Sequence, residues 1–300
     1  MIKASIVALW LVSIGYIYFR GKVRESFFRT ALNHSSVLAP VNAFMYLFSA
    51  VPARPYIGET GIAGLRALDE NWQVIREEAL QLAQAEKIRA AANNDDAGFN
   101  SFFKTGWKRF YLKWYNAEHP SAAQLCPRTV ALLRQIPEVK AALFAVLPPG
   151  AKLNPHRDPY AGSLRYHLGL TTPNDDGCFI EVDGQRYSWR DGQSVVFDET
   201  YIHWAENTTD QTRTILFCDL ERPLKYGWAR RFNRWFSRVV MTAAASPNQE
   251  GDQVGLVSRL FHVSWLAGQY RRRLKRWNRT VYQIVRAALI IGVIALIIYI

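Results

Sequence analysis

Leu164-Arg165-Tyr166-His167-Leu168-Gly169-Leu170 is the stretch on which the fold turns. Side chains two apart share a face of a strand, so Arg165 and His167 project together while leucines and Tyr166 fill the other face. We expect the two polar groups to point inward, into the mouth of a barrel. On either side lie further short β-rich runs, at 143–147, 178–182, 185–189, 194–197 and 212–218. Pro148-Pro149-Gly150, Pro173-Asn174-Asp175-Asp176-Gly177, Asp183-Gly184 and Arg190-Asp191-Gly192 punctuate them. Asp183-Gly184 suits a two-residue hairpin turn. Short strands at this spacing predict a mainly β core of the jelly-roll, double-sheet type.

The same region carries the chemistry. His156-Arg157-Asp158 follows a Pro-Gly turn, and His203 precedes the last β-rich run. Two imidazoles and one carboxylate form the three-ligand face that holds Fe(II) and leaves positions open for a cosubstrate and O2. A zinc hydrolase uses a comparable set with one open position. Arg213, ten residues past His203, tips the choice, because a guanidinium grips a carboxylate through paired hydrogen bonds. His156, Asp158 and His203 are therefore the expected metal ligands and catalytic centre, with Arg213 the expected site for 2-oxoglutarate. Arg165 and His167 are expected to bind the cosubstrate carboxylate or an anionic part of the substrate. His34, His119 and His262 read as ordinary core or surface histidines.

Upstream, leucines and other apolar residues recur at three- and four-residue spacing from Ile62 to Ala91, predicting a helix that ends in Asn93-Asn94-Asp95-Asp96. Residues 107–115 are aromatic and basic, and strand and helix both stay open there. A short helix is expected from Pro127 to Gln135. Cys126, Cys178 and Cys218 are widely spaced, which argues against a disulfide framework or zinc ribbon.

The 300-residue chain carries a net charge of +12, placed unevenly. Ala4–Phe19 is uncharged and apolar and is followed by Arg20, Lys22, Arg24 and Arg29. At the other end, the apolar run 281–300, broken only by Gln283 and Arg286, follows Arg271, Arg272, Arg273, Lys275, Arg276 and Arg279. We read a transmembrane helix at each end, 1–20 and 281–300, with snorkelling Lys3, Arg20 and Arg286 covering the shortfall in length. The basic flank after the first run disfavours a cleaved signal peptide. Both basic flanks place the domain between them on the cytoplasmic side of the membrane. Residues 21–61 form a juxtamembrane segment, with 37–51 interfacial or re-entrant. Residues 62–221 form the oxygenase domain.

Between 222 and 280 basic residues far outnumber the acids Glu250 and Asp252. Nucleic acid is one partner for such a block, but a helical wheel groups Trp228, Phe232, Trp235, Phe236 and Val239 opposite Arg230, Arg231, Arg234 and Arg238. That pattern suits a helix lying on anionic lipid, so a membrane and not a nucleic acid is the expected partner.

From about 65 to 219 the chain resembles the aspartyl/asparaginyl β-hydroxylase family of Fe(II)/2-oxoglutarate oxygenases. The resemblance rests on Pro149-Gly150, Pro155-His156, the 164–170 stretch, Phe197-Asp198-Glu199-Thr200, His203 and Arg213. The words Tyr-Phe-Arg-Gly-Lys-Val-Arg (18–24) and Met-Tyr-Leu-Phe-Ser-Ala-Val-Pro (45–52) resemble its membrane-bound branch that hydroxylates lipid A. The resemblance implies a double-stranded β-helix, iron at His156 and His203, 2-oxoglutarate at Arg213, and 2-hydroxylation of a fatty acyl chain of lipid A. Protein-hydroxylating members carry glycine where this chain has Asp158, and a serine at the position matching Ala145. Hydroxylation of Asp or Asn in a peptide is the competing enzymatic reading. A membrane-bound binding protein without activity is the reading from another class.

Overall fold

The computed structural model describes residues 2–32, 34–91, 95–278 and 280–281. Helices come first: α1 (Ile2–Phe19), α2 (Phe27–Leu32), α3 (His34–Val37), α4 (Ala39–Leu47), α5 (Leu65–Glu70), α6 (Trp72–Gln84) and α7 (Asn100–Phe103). Strand β1 (Lys108–Trp114) and helices α8 (Pro120–Leu125) and α9 (Pro127–Arg134) lead into eight strands. These are β2 (Val139–Leu147), β3 (Lys152–His156), β4 (Ser163–Thr171), β5 (Cys178–Val182), β6 (Gln185–Ser188), β7 (Ser194–Phe197), β8 (His203–Asn207) and β9 (Arg213–Glu221). Helices α10 (Gly227–Phe236) and α11 (Leu256–Trp277) follow.

The strands form two antiparallel sheets, ordered β1-β2-β9-β4-β7 and β3-β8-β5-β6. Period-two alternation divides the larger sheet between two cores. Phe144 of β2, Leu164, Tyr166 and Leu168 of β4, and Leu216 and Leu220 of β9 pack under α5, α6 and α9. Their neighbours Leu143, Leu147, Ile215 and Phe217 face Leu153, Ile180 and Ala205 of the smaller sheet. This is the expected mainly β core with flanking helices. The Asp183-Gly184 hairpin is also present: both residues have positive φ, 51° and 80°, joining β5 to β6 in the turn whose twist matches the strands.

The expected helix over 62–91 is two helices. The chain breaks at Asn71, whose Nδ2 donates to the Ala67 carbonyl at 2.8 Å, a local bond that competes with helix propagation. Residues 107–115 resolve to strand: β1 pairs with β2 along its length.

The N-terminal region also departs from expectation. α1 has 18 residues, about 27 Å at ~1.5 Å per residue, against a hydrocarbon core of ~30 Å. Among the described residues no helix is long and apolar enough to cross a membrane, so the crossing expected at 1–20 is not borne by them. The crossing expected at 281–300 lies almost entirely outside the described residues. One side of α1, Ile14 and Ile17, packs on Ala39 and Tyr46, and the segment expected to be interfacial or re-entrant holds α4, docked on the domain through buried Asn42 and Met45. Arg20, read above as a membrane flank, is buried and paired with Asp198 at 2.6 Å. Arg222, counted in the basic block, is buried on the same carboxylate at 2.8 Å.

Candidate active site

β3 and β8 pair so that His156 and His203 lie directly opposite one another. Their rings are 4.3 Å apart, centroid to centroid. Asp158, two residues on, brings Oδ1 to 3.6 Å from His156 Nε2. One ligand atom from each of His156, Asp158 and His203 lies within 4.8 Å of the others, close enough to share one ion.

The imidazoles are oriented for that purpose. His156 Nδ1 lies 2.7 Å from the Asn154 carbonyl oxygen, and His203 Nδ1 lies 3.0 Å from that of Tyr201. A carbonyl oxygen only accepts, so each Nδ1 carries the hydrogen and each Nε2 lone pair faces the site. Burial, with His156 alongside, lowers the His203 pKa to about 3, which keeps the ring neutral, the form that ligates.

Arg165 and His167 do share the inward face of β4, but their partners differ. Arg165 donates from Nη2 to Asp158 Oδ2 at 2.7 Å and from Nε to Asp219 Oδ1 at 3.0 Å, and it also contacts Glu199. Burial alone would lower its pKa, but Glu199, Asp219 and Asp158 together hold it above its ordinary value. Asp158 in turn is held well below the usual carboxylate range: burial opposes this, and Arg165 and the two histidines outweigh it. Arg165 was expected to contact cosubstrate or substrate. In the structure its Nε and Nη2 are committed to these acids, so it fixes the orientation of Asp158. Burial, together with Asp219 and Asp158, pushes Glu199 well above the usual range.

One pocket is lined by His156, Asp158 and His203 and also by Arg213. Arg213 opens β9, with its guanidinium 4.4 Å from the Trp189 ring. Its Nε and Nη2, both ring nitrogens of His167, and Trp189 Nε1 are buried without a hydrogen-bond partner among the described residues. Burial lowers the Arg213 pKa to about 10 and that of His167 well below its ordinary value. Unmade hydrogen bonds at buried donors are costly, so their convergence marks a place for an anion. A carboxylate satisfies a guanidinium edge and an indole N–H together. The residues present thus fit Fe(II) at one end of the pocket and a dicarboxylate at the other. Phe99, Phe102, Trp107 and Leu153 supply an apolar wall, with the Phe102 ring 4.8 Å from His156. Ala145 also lines it.

The sequence reading gave no site role to Asp219, Glu199 or Trp189. Asp219 shares the face of β9 with Arg213, six residues earlier, so strand alternation could have found it. Trp189 follows β6 and gave no signal. The cysteines are buried and free. Buried His119 bonds through Nε2 to the Ser246 carbonyl at 3.0 Å, as a core histidine does.

Against known proteins, the chain is 41% identical over 132 residues to the ornithine lipid ester-linked acyl 2-hydroxylase of Rhizobium tropici, covering 44% of this chain and 46% of that protein. It is 28% identical over 187 residues to human aspartyl/asparaginyl beta-hydroxylase, covering 60% of this chain and 24% of that one. The chain thus spans less than half the length of these curated relatives. Among solved structures, a Pseudomonas putida prolyl-4-hydroxylase aligns with a TM-score of 0.37 at 18% identity, over 51% of this chain and 87% of that one. The profile of the aspartyl/asparaginyl beta-hydroxylases matches residues 69–223, just over half of the chain and the whole of all nine strands, and by that match the chain belongs to the aspartyl/asparaginyl β-hydroxylase family.

Proposed function

We propose that this hydroxylase depends on Fe(II), 2-oxoglutarate and O2, and hydroxylates carbon 2 of a fatty acyl chain on a membrane lipid, lipid A. The observation that carries the reading is the single pocket with a three-ligand face at one end and unpaired Arg213, Trp189 and His167 donors at the other. When bound, iron and 2-oxoglutarate supply oxidative decarboxylation to succinate and CO2, coupled to insertion of one oxygen atom of O2 into a C–H bond. His156, Asp158 and His203 would hold the metal, with Arg165 keeping Asp158 turned toward it. Arg213 would take the distal carboxylate in its guanidinium fork, and Trp189 Nε1 and neutral His167 would add donors. Phe99, Phe102, Trp107 and Leu153 exclude water and offer apolar contact to an acyl chain.

The lipid reading has further support in the similarity to an ornithine lipid acyl 2-hydroxylase and in the surface. Helix α10 was expected to present one apolar face, but the structure splits it. Phe236 is buried on Tyr160, with stacked rings 5.4 Å apart, and Phe232 packs on Phe44. Trp228, Trp235 and Val239 remain exposed, as do Leu47 and the α1 residues Leu9, Leu11 and Val12. Arg231 and Arg238 lie exposed beside them. We read this belt as seated on the cytoplasmic face of the inner membrane, with α1 entering the bilayer. A peptide substrate bearing a carboxylate would need a free cation at the mouth, and Arg165 is already shared among acids. The test is mass spectrometry of lipid A from cells with and without the protein, and with His203→Ala. A hydroxyl that appears only with the intact protein is expected; identical spectra reject the lipid A assignment, and succinate release with ornithine lipid or a peptide then identifies the substrate.

A further inference from the structure

We propose that the N-terminal helices α1 and α4 belong to the active-site machinery, acting as a clamp that positions the metal-ligand segments. The inference rests on the reading that His156, Asp158 and His203 hold the metal. The key residue is Arg157, between two ligands. It is buried, and its Nη1 donates to the carbonyl of Ile17 at 2.8 Å. That carbonyl belongs to the last turn of α1, where the helix dipole is negative, and it also accepts the Arg20 N–H at 3.2 Å. A guanidinium there complements the negative helix end and fixes the backbone from which His156 and Asp158 project.

The other side of the segment is held from α4. Asn42 Nδ2 donates to the Pro159 carbonyl at 2.9 Å, and its Oδ1 accepts the Ala161 N–H at 2.8 Å. The third ligand is reached by a separate path. Arg20 lies between the rings of Tyr46 and Tyr201, 4.1 and 3.9 Å from their centroids. It donates to Thr200 Oγ1 at 2.8 Å and to Asp198 at 2.6 Å. Tyr201 is the residue whose carbonyl accepts from His203 Nδ1, so Arg20 braces the peptide that sets the His203 ring. Lys22 and Val23 then donate their backbone N–H groups to Asp183 Oδ1 at 2.7 and 2.8 Å, locking the exit from α1 onto the β5–β6 turn. Residues 17–23 and Asn42 therefore touch the supports of all three ligands while touching none of the ligand atoms. Arg157, Arg20 and Asn42 are positioning residues.

The experiment uses the full-length chain in detergent micelles, titrated with Co(II) and followed by the visible absorption of the bound ion. Second-sphere partners typically change metal affinity about 10–100-fold. Arg157→Met and Arg20→Met should therefore weaken Co(II) binding at least about tenfold and alter the absorption band, with Arg157→Lys recovering much of the affinity. The control Asp252→Asn loosens a remote buried network with Ser121 and Asn248; it should lower thermal stability and leave Co(II) affinity unchanged. If Arg157→Met does not fold, Asn42→Ser carries the same test. Wild-type affinity and spectrum in the folded clamp variants overturn the clamp. A wild-type protein that takes up no Co(II), or whose uptake survives His203→Ala, overturns the metal reading itself and the clamp with it.

Discussion

Replacing Arg213 with methionine should stabilise the cofactor-free protein while crippling its use of 2-oxoglutarate. Arg213 is 2% exposed, with two guanidinium nitrogens unpartnered and no acid beside it. Its pKa falls from its ordinary value to about 10 through burial, and at about 1.36 kcal/mol per unit the folded state carries a penalty of about 3 kcal/mol. The sign follows from the linkage: a cation with a depressed folded pKa penalises folding fully below that pKa, and the penalty fades as pH rises above 10 toward the ordinary arginine value. At neutral pH it is wholly present. Loss of the contact with Trp189 offsets some of the gain, leaving about 1–3 kcal/mol, or roughly 2–10 °C in Tm.

In the presence of 2-oxoglutarate the sign reverses. Two charge-assisted hydrogen bonds at about 1.5–3 kcal/mol each correspond to a rise in KM for 2-oxoglutarate of about 10²–10⁴-fold. Arg213→Lys keeps the charge without the fork and should fall between. Differential scanning calorimetry of the metal-free protein, with and without 2-oxoglutarate, reads stability and ligand protection together; succinate formation gives KM. A variant that melts earlier than wild type and keeps its KM would refute the reasoning, because Arg213 would then be part of the scaffold.

Arg165→Met should act in the opposite direction, destabilising the metal-free fold by about 3–5 kcal/mol in urea unfolding, because it strands Asp158, Glu199 and Asp219 around an apolar side chain. Acidification should destabilise the metal-free protein between pH 6.5 and about 3: His203 at about 3 and His167 well below its ordinary value stay neutral when folded, while the unfolded chain takes up protons. By pH 5 His203 contributes a loss of about 2 kcal/mol, His167 acts in the same direction, and His203→Asn should flatten the slope of unfolding free energy against pH. Gly169→Ala should prevent accumulation of soluble protein, since its Cβ would meet the Arg190 carbonyl oxygen at 2.1 Å; normal yield and Tm would show that this loop gives way. Trp228→Ser with Trp235→Ser, both at exposed positions, should reduce flotation with anionic vesicles by about tenfold and leave turnover of micelle-dispersed substrate unchanged.

The β core was legible because its physics is local. Alternation along 164–170 and 213–220 records which side chains face the helices and which face the other sheet, and the turns at 148–150 and 183–184 are written in residues that tolerate their dihedral angles. The juxtaposition of His156 and His203 was legible for a related reason: they sit at the ends of paired strands, so their separation in sequence is resolved by one sheet register. The N-terminal third was not. An apolar run followed by arginines reads as a membrane flank on local evidence, and only the tertiary partner Asp198 turns Arg20 into an interior ion pair.

The two site arginines show where sequence reasoning stops. Arg165 and Arg213 both open onto one pocket from inward-facing strand positions, and nothing in their neighbours along the chain separates them. The difference lies in the carboxylates each meets across space. Arg165 meets three and is held above its ordinary pKa; Arg213 meets none and is held below it. A buried cation with its counter-charges supplied by the fold is complete and can only orient what it holds. One without them leaves a free edge whose geometry suits a planar, bidentate anion. The division of labour between structure and ligand binding is thus set by where the acids fall, on β9, after β7 and after β3, and those three positions converge only once both sheets have closed.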